Sequence, residues 1–451
     1  MTGANTPTPV SDDLTAHLAE RGVRTVHVVI PDLDGSLRER RLAPDDLAAV
    51  FGDDGSFVNV LHKWDTADAV YRDGPFVGET MRIDPVSLRD YPFEENAALV
   101  FADYAGVSAP LSPREVLKTQ IARADAMGYA VKTALEFEFI VIDETGESLR
   151  GKGWEGFDTY AVDNRCWSAQ SAAIYADLVA DLEAVLERAG VGLFGLGLEL
   201  GAGCFEGTLR ATDPLRAADD AVLFKTFTKA FARRNGLTAS FMAQLSADFP
   251  GLSGHVHLSL ADKESGQNLF HDPADGDGMS AVMRHGIAGL VDLTPDALAL
   301  AAHTVNAWRR LTPGNWAPRT ATWAIQNYAV AVRAVPVPEA AARLEYRLPA
   351  ADTNPYLAIA LTLGAALDGI ENATELPAPM AGGGPDETPD DMPGLPHDLL
   401  EAADRLDASK KARTIFGDAF IDYFVASRRR EEAVLRRHVS AFERARYLEA
   451  V

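Results

Sequence analysis

The chain has 451 residues, 47% of them hydrophobic, which is enough to bury two or three domain cores. Its 66 Asp and Glu outweigh 42 Lys and Arg to leave a formal net charge of −24, so neither nucleic acid nor an anionic membrane is an expected partner. The two cysteines, Cys166 and Cys204, offer no disulfide framework and no C-x-x-C metal site. With no apolar run of bilayer length and no signal-like leader, a cytoplasmic location is expected.

Residues 1 to 12 are polar and Pro/Thr-rich and read as a disordered tail. Val26, Val28 and Ile30 then alternate along one strand face, and Asp34-Gly35 turns the chain into a more polar second strand, a β-hairpin. A helix is expected from Pro44 to Phe51, then a loop through Asp53-Asp54-Gly55 and a segment of strand plus loop. Met81 to Tyr104 reads as a proline-broken connection leading to a strand at Ala97 to Phe101, which closes a small mixed domain near Ser108.

Ser112-Pro113 starts a helix that stops at Gly128. The strand VKTALEFEFIVI follows, then a Gly- and aromatic-rich loop, and one long helix from Ser168 to Ala189. Alternating strands and helices continue to about residue 370, with a Pro/Gly-rich flap at Glu375 to Pro396. The C-terminal region reads as helical, with a basic patch at Arg428, Arg429 and Arg430.

Side chains alternate faces along a strand, so Glu136 and Glu138 share one side while Phe137 and Phe139 take the other. Taken alone, such a pair reads as the wet face of an edge strand. Three further stretches repeat the pattern. His255, His257 and Ser259 project together, Arg343 and Arg347 flank Glu345, and Glu199 and Glu206 bracket a tight turn. Five carboxylates with imidazoles suit a hard divalent cation, Mg²⁺ or Mn²⁺, and interleaved arginines suit phosphate or carboxylate ligands.

In this order and spacing, LEFEF, LELGAGCFE, FMAQ with GLSGHVHLSL, RRLTPGNWAP, RLEYR and NPYLA together resemble glutamine synthetase over nearly the whole chain. The C-terminal FIDYFVASRRREEAV and Trp316-Ala317-Pro318 look more like the γ-glutamyl-amine ligase branch, including γ-glutamylputrescine synthetase-like enzymes. The resemblance implies an α+β protein. An N-terminal β-grasp domain (13–108) would precede a catalytic domain (109–451), whose curved antiparallel half-barrel is surrounded by helices. It also implies a homo-dodecamer of two stacked six-membered rings, with active sites between subunits.

Carried onto these positions, the resemblance makes Glu138, Glu199 and Glu206 ligands of one metal and Glu136, His255 and Glu345 ligands of a second. His257 and Ser259 fall beside the nucleotide, and Arg333 and Arg343 on the ATP phosphates. Arg310 and Arg347 would hold the two carboxylates of glutamate, Gly251 would contact the amino acid through its backbone, and Tyr160 and Trp316 would line the substrate site. Asp54, from the neighbouring subunit, is the candidate acceptor of the amine proton; by itself it also reads as a turn residue.

Several positions depart from the family pattern, among them Pro250 and Leu252, which replace a more polar substrate loop. Trp316 stands where the ammonia-using enzymes carry a glutamate, Tyr328 where the family carries an arginine, with Arg319 nearby, and Gln244 where it carries a lysine. An indole cannot pair with ammonium as a carboxylate does, but it can pack on an organic amine. The expected activity is therefore ATP- and Mg²⁺-dependent formation of a γ-glutamyl amide from glutamate and an organic amine. The alternatives are a catalytically silent binding or regulatory relative and ammonia-using glutamine synthesis.

Overall fold

The computed structural model describes residues 12–52, 55–163, 165–382 and 394–451. The expected tail lies outside these residues except for Asp12, as does the centre of the expected flap, 383–393. The fold is α+β.

The first unit comprises α1 (Asp12–Glu20), β1 (Thr25–Pro31), β2 (Leu37–Leu42), α2 (Leu47–Phe51), the short pair β3 (Phe57–Val58) and β4 (Gly78–Glu79), β5 (Met81–Asp90) and β6 (Ala97–Tyr104). Its main sheet runs β2-β1-β6-β5, with β1 and β6 parallel at the centre. Alternation decides which core each residue of β1 serves. Val26, Val28 and Ile30 pack with Leu14, Leu18, Leu47 and Phe51 in the unit's own core, whereas Val29 faces Leu99 and Phe101 in the large core beyond. The hairpin forms at Asp34-Gly35, where Asp32 Oδ1 accepts from the Asp34 and Ser36 amides at 3.1 and 2.9 Å. Met81 to Asp90 is a strand rather than the expected proline-broken connection. Among the described residues it pairs only with β6, and its ladder slips between Asp84 and Arg89, so Pro85 sits where no ladder hydrogen bond is required of it.

The second unit continues with α3 (Pro113–Ala126), β7 (Tyr129–Ile142), α4 (Gly146–Gly151), α5 (Ala169–Ile174), α6 (Ala176–Arg188), β8 (Leu193–Leu198), β9 (Cys204–Leu209), α7 (Pro214–Arg234), β10 (Thr238–Ser240), β11 (Gly254–Asp262) and α8 (Ala281–Ala297). Then come α9 (Ala307–Arg310), β12 (Trp323–Ile325), β13 (Val332–Val335), β14 (Arg343–Tyr346), α10 (Pro355–Glu371), α11 (Leu399–Ala408), α12 (Lys410–Phe416), α13 (Asp418–Arg436) and α14 (Ala441–Tyr447). The expected helix from Ser168 to Ala189 is two, broken at Tyr175, whose φ of −100° and ψ of 13° interrupt the helical backbone.

The large sheet is ordered β12-β13-β14-β11-β7-β9-β8, with β10 also on β7, and it is antiparallel except for β12 with β13. One face of β7 is fixed by aromatic packing. Phe137 and Phe139 are fully buried, and Phe139 lies 5.9 Å from Phe224 of α7 and 5.2 Å from Phe241, ring centre to ring centre. Gly207 on neighbouring β9 permits this, since a Cβ there would lie 2.4 Å from the Phe224 ring. With the phenylalanines committed to the core, Glu136 and Glu138 can only face the other side.

The Arg428 to Arg430 run is not a surface patch. Arg428 is buried and donates to Asp34 Oδ1 and the His303 carbonyl, both at 2.7 Å. Arg429 pairs with Asp404 and Arg430 with Asp65. The two units are also joined by Arg114 of α3, which is fully buried and donates to Asp219 on α7 at 2.9 and 3.0 Å and to Asp84 and Asp103 of the first unit at 2.6 Å each. Removing one side of a buried charge network leaves the others unpaired. Arg114→Met is therefore expected to cost about 3–5 kcal/mol, seen as a fall in the urea midpoint. An unchanged midpoint would show that the carboxylates find other partners.

Candidate functional site

Cross-strand partners share a face and come within reach of one another. Register sets Glu136 of β7 against His255 of β11, Glu138 against Glu206 of β9, and His257 against Glu345 of β14, which in turn faces Arg333 of β13. Five strands thus deliver their polar residues to the face opposite the phenylalanines.

Ligating atoms of Glu136, Glu206 and His255 all lie within 4.8 Å of one another, and so do those of Glu136, His257 and Glu345. Hydrogen bonding separates the two imidazoles. Arg343 Nε donates to His257 Nδ1 at 3.2 Å, so the His257 proton belongs on Nε2, which faces Glu136 Oε1 at 3.0 Å. The His257 Nε2 is thus placed beside Glu136, buried and outside hydrogen-bond geometry, with its lone pair committed at Nδ1. In His255 it is Nδ1 that faces Glu136 (3.4 Å) and Glu345 (3.5 Å), while Nε2 is buried without a partner. Burial, then Arg347, lowers His255 to about 4, so at neutral pH this orphaned nitrogen is available as a lone pair for a cation. The donor set fits a divalent metal.

Electrostatics divides the carboxylates. Burial raises Glu136, opposed by His257 and His255 so that the net shift is downward; with both rings neutral, that opposition at neutral pH comes only through their N–H groups. Burial would also raise Glu345, yet His255, His257 and Arg347 bring it to about 2. With His255 neutral, the guanidinium carries that effect at neutral pH. Glu206 has no such support. Burial first, then Glu136, Glu138 and Glu199, push it up to about 8. Glu138 is likewise raised by burial, opposed by the Ser253 amide and Arg310. Two of the clustered acids therefore lack compensating charge, which a cation would supply.

Glu199, expected beside Glu138 and Glu206, is occupied by protein donors. Its Oε1 accepts from the Cys166 thiol and the Leu200 amide, and its Oε2 from the Trp167 indole, each at 2.8 Å. Nothing in the sequence distinguished Cys166 and Trp167 as its partners, because they come from a distant loop.

The arginines form the opposite wall. Glu345 accepts from Arg333 Nη1 at 2.8 Å and Arg347 Nη1 at 2.5 Å. Arg333 also donates to Gln326, which sequence reasoning missed, and Arg343 donates to the Ala341 carbonyl. Arg310 is fully buried on the Leu348 and Arg347 carbonyls and the Ser253 hydroxyl, with Nε unpartnered. Gly251 allows that burial, since a Cβ there would meet Arg310 Cγ at 2.7 Å. Gln244 donates to the Ser246 and Phe249 carbonyls at 2.7 Å and so braces the adjoining loop.

Ser259 donates to the Ala342 carbonyl. Tyr160 packs on Tyr175, and Trp316 is exposed in the left-handed region at φ 52°. Asp54 lies outside the described residues.

A basin of carboxylates with one ligand-ready imidazole, walled by arginines, defines the class of enzymes that handle phosphate and carboxylate substrates with divalent cations. The family described as "Glutamine synthetase, catalytic domain" matches residues 110–447. The chain is 33% identical to type-1 glutamine synthetase 2 of Dictyostelium discoideum over 94% of its length and 84% of the relative's. It is 31% identical to glutamate–isopropylamine ligase of Pseudomonas sp. over 96% and 97%, and 32% identical to γ-glutamylethanolamide synthetase of Streptomyces coelicolor over 93% and 91%. The structure of GmaS without ligand superposes with a TM-score of 0.83 at 26% identity, covering 98% of this chain and 100% of GmaS. The chain belongs to the glutamine synthetase family.

The charge imbalance at Glu206 has a measurable sign. A carboxyl raised in the folded state binds its proton more tightly there than in the unfolded chain, so its ionisation destabilises the fold as pH rises from about 4.5 toward 8. In the presence of chelator, the unfolding midpoint of Glu206→Gln is expected to gain on the wild type across that interval. A constant difference between the two would refute the assignment.

Proposed function

We propose that the protein is an ATP-dependent ligase that joins glutamate, through its γ-carboxylate, to an organic amine by way of γ-glutamyl phosphate. The observation that carries this reading is the convergence of Glu136, Glu138, Glu206, His255 and Glu345 with Arg333 and Arg347 on one sheet face. Two amine ligases among the relatives support the amine as acceptor. So does Trp316, whose exposed indole offers packing surface and no charge.

A carboxylate resists amines because it is anionic and has no good leaving group. Transfer of the ATP γ-phosphoryl to a γ-carboxylate oxygen releases ADP and makes the acyl carbon electrophilic. Attack by the neutral amine nitrogen then expels phosphate, and the nitrogen gives up one proton. Bound divalent metals would neutralise the phosphate and carboxylate oxygens; we assign them to Glu136, His255 and Glu345, and to Glu138, Glu206 and Glu199 once Glu199 leaves Cys166 and Trp167.

Arg333 and Arg343 would bind the ATP phosphates, Arg347 the reacting carboxylate, and His257 and Ser259 would lie beside the nucleotide. Arg310 would take the α-carboxylate when the stretch from Gly251 to Ser253 parts above it. Asp54 of a neighbouring subunit would accept the amine proton, and Tyr160 and Trp316 would line the amine pocket. On this reading the first unit, 13–108, is the β-grasp domain, and 109–451 is the catalytic half-barrel. The subunits would assemble as a cytoplasmic dodecamer of two hexameric rings. No described helix is long and apolar enough to cross a membrane.

Incubation with ATP, Mg²⁺, glutamate and a panel of amines is expected to release phosphate in an amine-dependent manner, with γ-glutamyl amides detected by mass spectrometry. Release with no amine in the panel, or with ammonium alone, would reject the proposal. Glu136→Ala is expected to lose both turnover and tight Mn²⁺ binding.

A further inference from the structure

Tyr328 occupies a position that the fold treats as a junction. Its carbonyl accepts from Arg347 Nε at 3.0 Å, while its ring lies over the Arg333 guanidinium at 4.0 Å and within 5.4 Å of that of Arg347. Two residues earlier, Gln326 accepts from Arg333 Nη2 at 2.8 Å, from a backbone in the left-handed region at φ 56°. Asn327 closes the turn by accepting from the Ala329 amide at 2.8 Å. On their other side both arginines meet the buried Glu345. Each guanidinium is therefore fixed along one edge by Glu345 and covered on one face by the same aromatic ring.

We infer that Tyr328 is a positioning residue, which holds Arg333 and Arg347 side by side as a two-pronged clamp for the anionic groups of the substrates. This rests on the ligase reading above. Any residue here would supply the backbone carbonyl; what is particular to Tyr328 is its ring, which lies against both guanidiniums. The ring also supplies what a third arginine at this place could not. It restricts the motion of two flexible cations without adding charge, so the clamp is rigid before the anion arrives. With 54% of the residue exposed, substitution leaves no buried cavity, and the effect of a variant can be read as function rather than folding.

The test compares Tyr328→Phe, which keeps the ring, with Tyr328→Leu, which keeps bulk and the backbone carbonyl but not the ring face. Calorimetric binding of Mg–ADP and steady-state constants for ATP, glutamate and amine are measured for each. Tyr328→Leu is expected to weaken ADP binding and raise the KM for ATP by about tenfold, the scale of one well-placed cation-π contact. KM for the amine should remain unchanged, and Tyr328→Phe should behave as wild type. Gln326→Ala, which removes the other tether of Arg333, is expected to shift the same constants.

Wild-type ADP affinity in Tyr328→Leu, or equal defects in the Phe and Leu variants, would overturn the inference. If the wild type turns over no amine, the ligase reading falls while the ADP measurement still decides the clamp. A wild type that binds neither ADP nor inorganic phosphate overturns the clamp as well.

Discussion

The constraint on which this structure depends is the burial of like charges on one face of a single strand. Glu136 and Glu138 cannot turn away, because Phe137 and Phe139 are held in the core by Phe224 and Phe241. The cost of desolvating the acids must be offset where they stand. The fold does this unevenly. Glu136 and Glu345 are matched by imidazoles and guanidiniums, while Glu138 and Glu206 are left with raised affinity for a proton. The unmatched half is the part that calls for a cation, and the matched half is already rigid.

The surrounding architecture serves that uneven balance. Antiparallel pairing gives each ligand-bearing strand a fixed register, so a displacement of one residue would turn the whole set toward the core. Arg114 and Arg428 fasten the first unit to the catalytic one through buried pairs with its aspartates, Asp84 and Asp103 for the former and Asp34 for the latter. Asn354, at the start of α10, also donates to the Leu33 carbonyl of the hairpin turn at 2.9 Å. The site is built on strands and its framework is held by charge, which suits chemistry that relies on positioning and electrostatics.

The positions that depart from the family pattern are not degenerate. Gln244 braces the loop at Ser246 and Phe249, and Tyr328 joins two arginines. In both cases the side chain organises its neighbours, which argues against decay of the site. Trp316 differs, because it is exposed and bound into no such arrangement among the described residues.

The sequence by itself determined the faces. Period-two alternation assigned Glu136, Glu138, His255, His257, Glu345 and Arg347 to common sides of their strands, and Asp34-Gly35 to a turn, because those outcomes depend on local geometry alone. What it could not determine were relations between segments distant in the chain. The occupation of Glu199 by Cys166 and Trp167, the proton position on His257 set by Arg343, the break of the helix at Tyr175 and the dispersal of Arg428, Arg429 and Arg430 to separate partners all follow from packing. Alternation says which way a side chain points; only the tertiary structure decides what stands opposite it, since hydrogen bonds and charge act over a few ångströms in space regardless of separation along the chain.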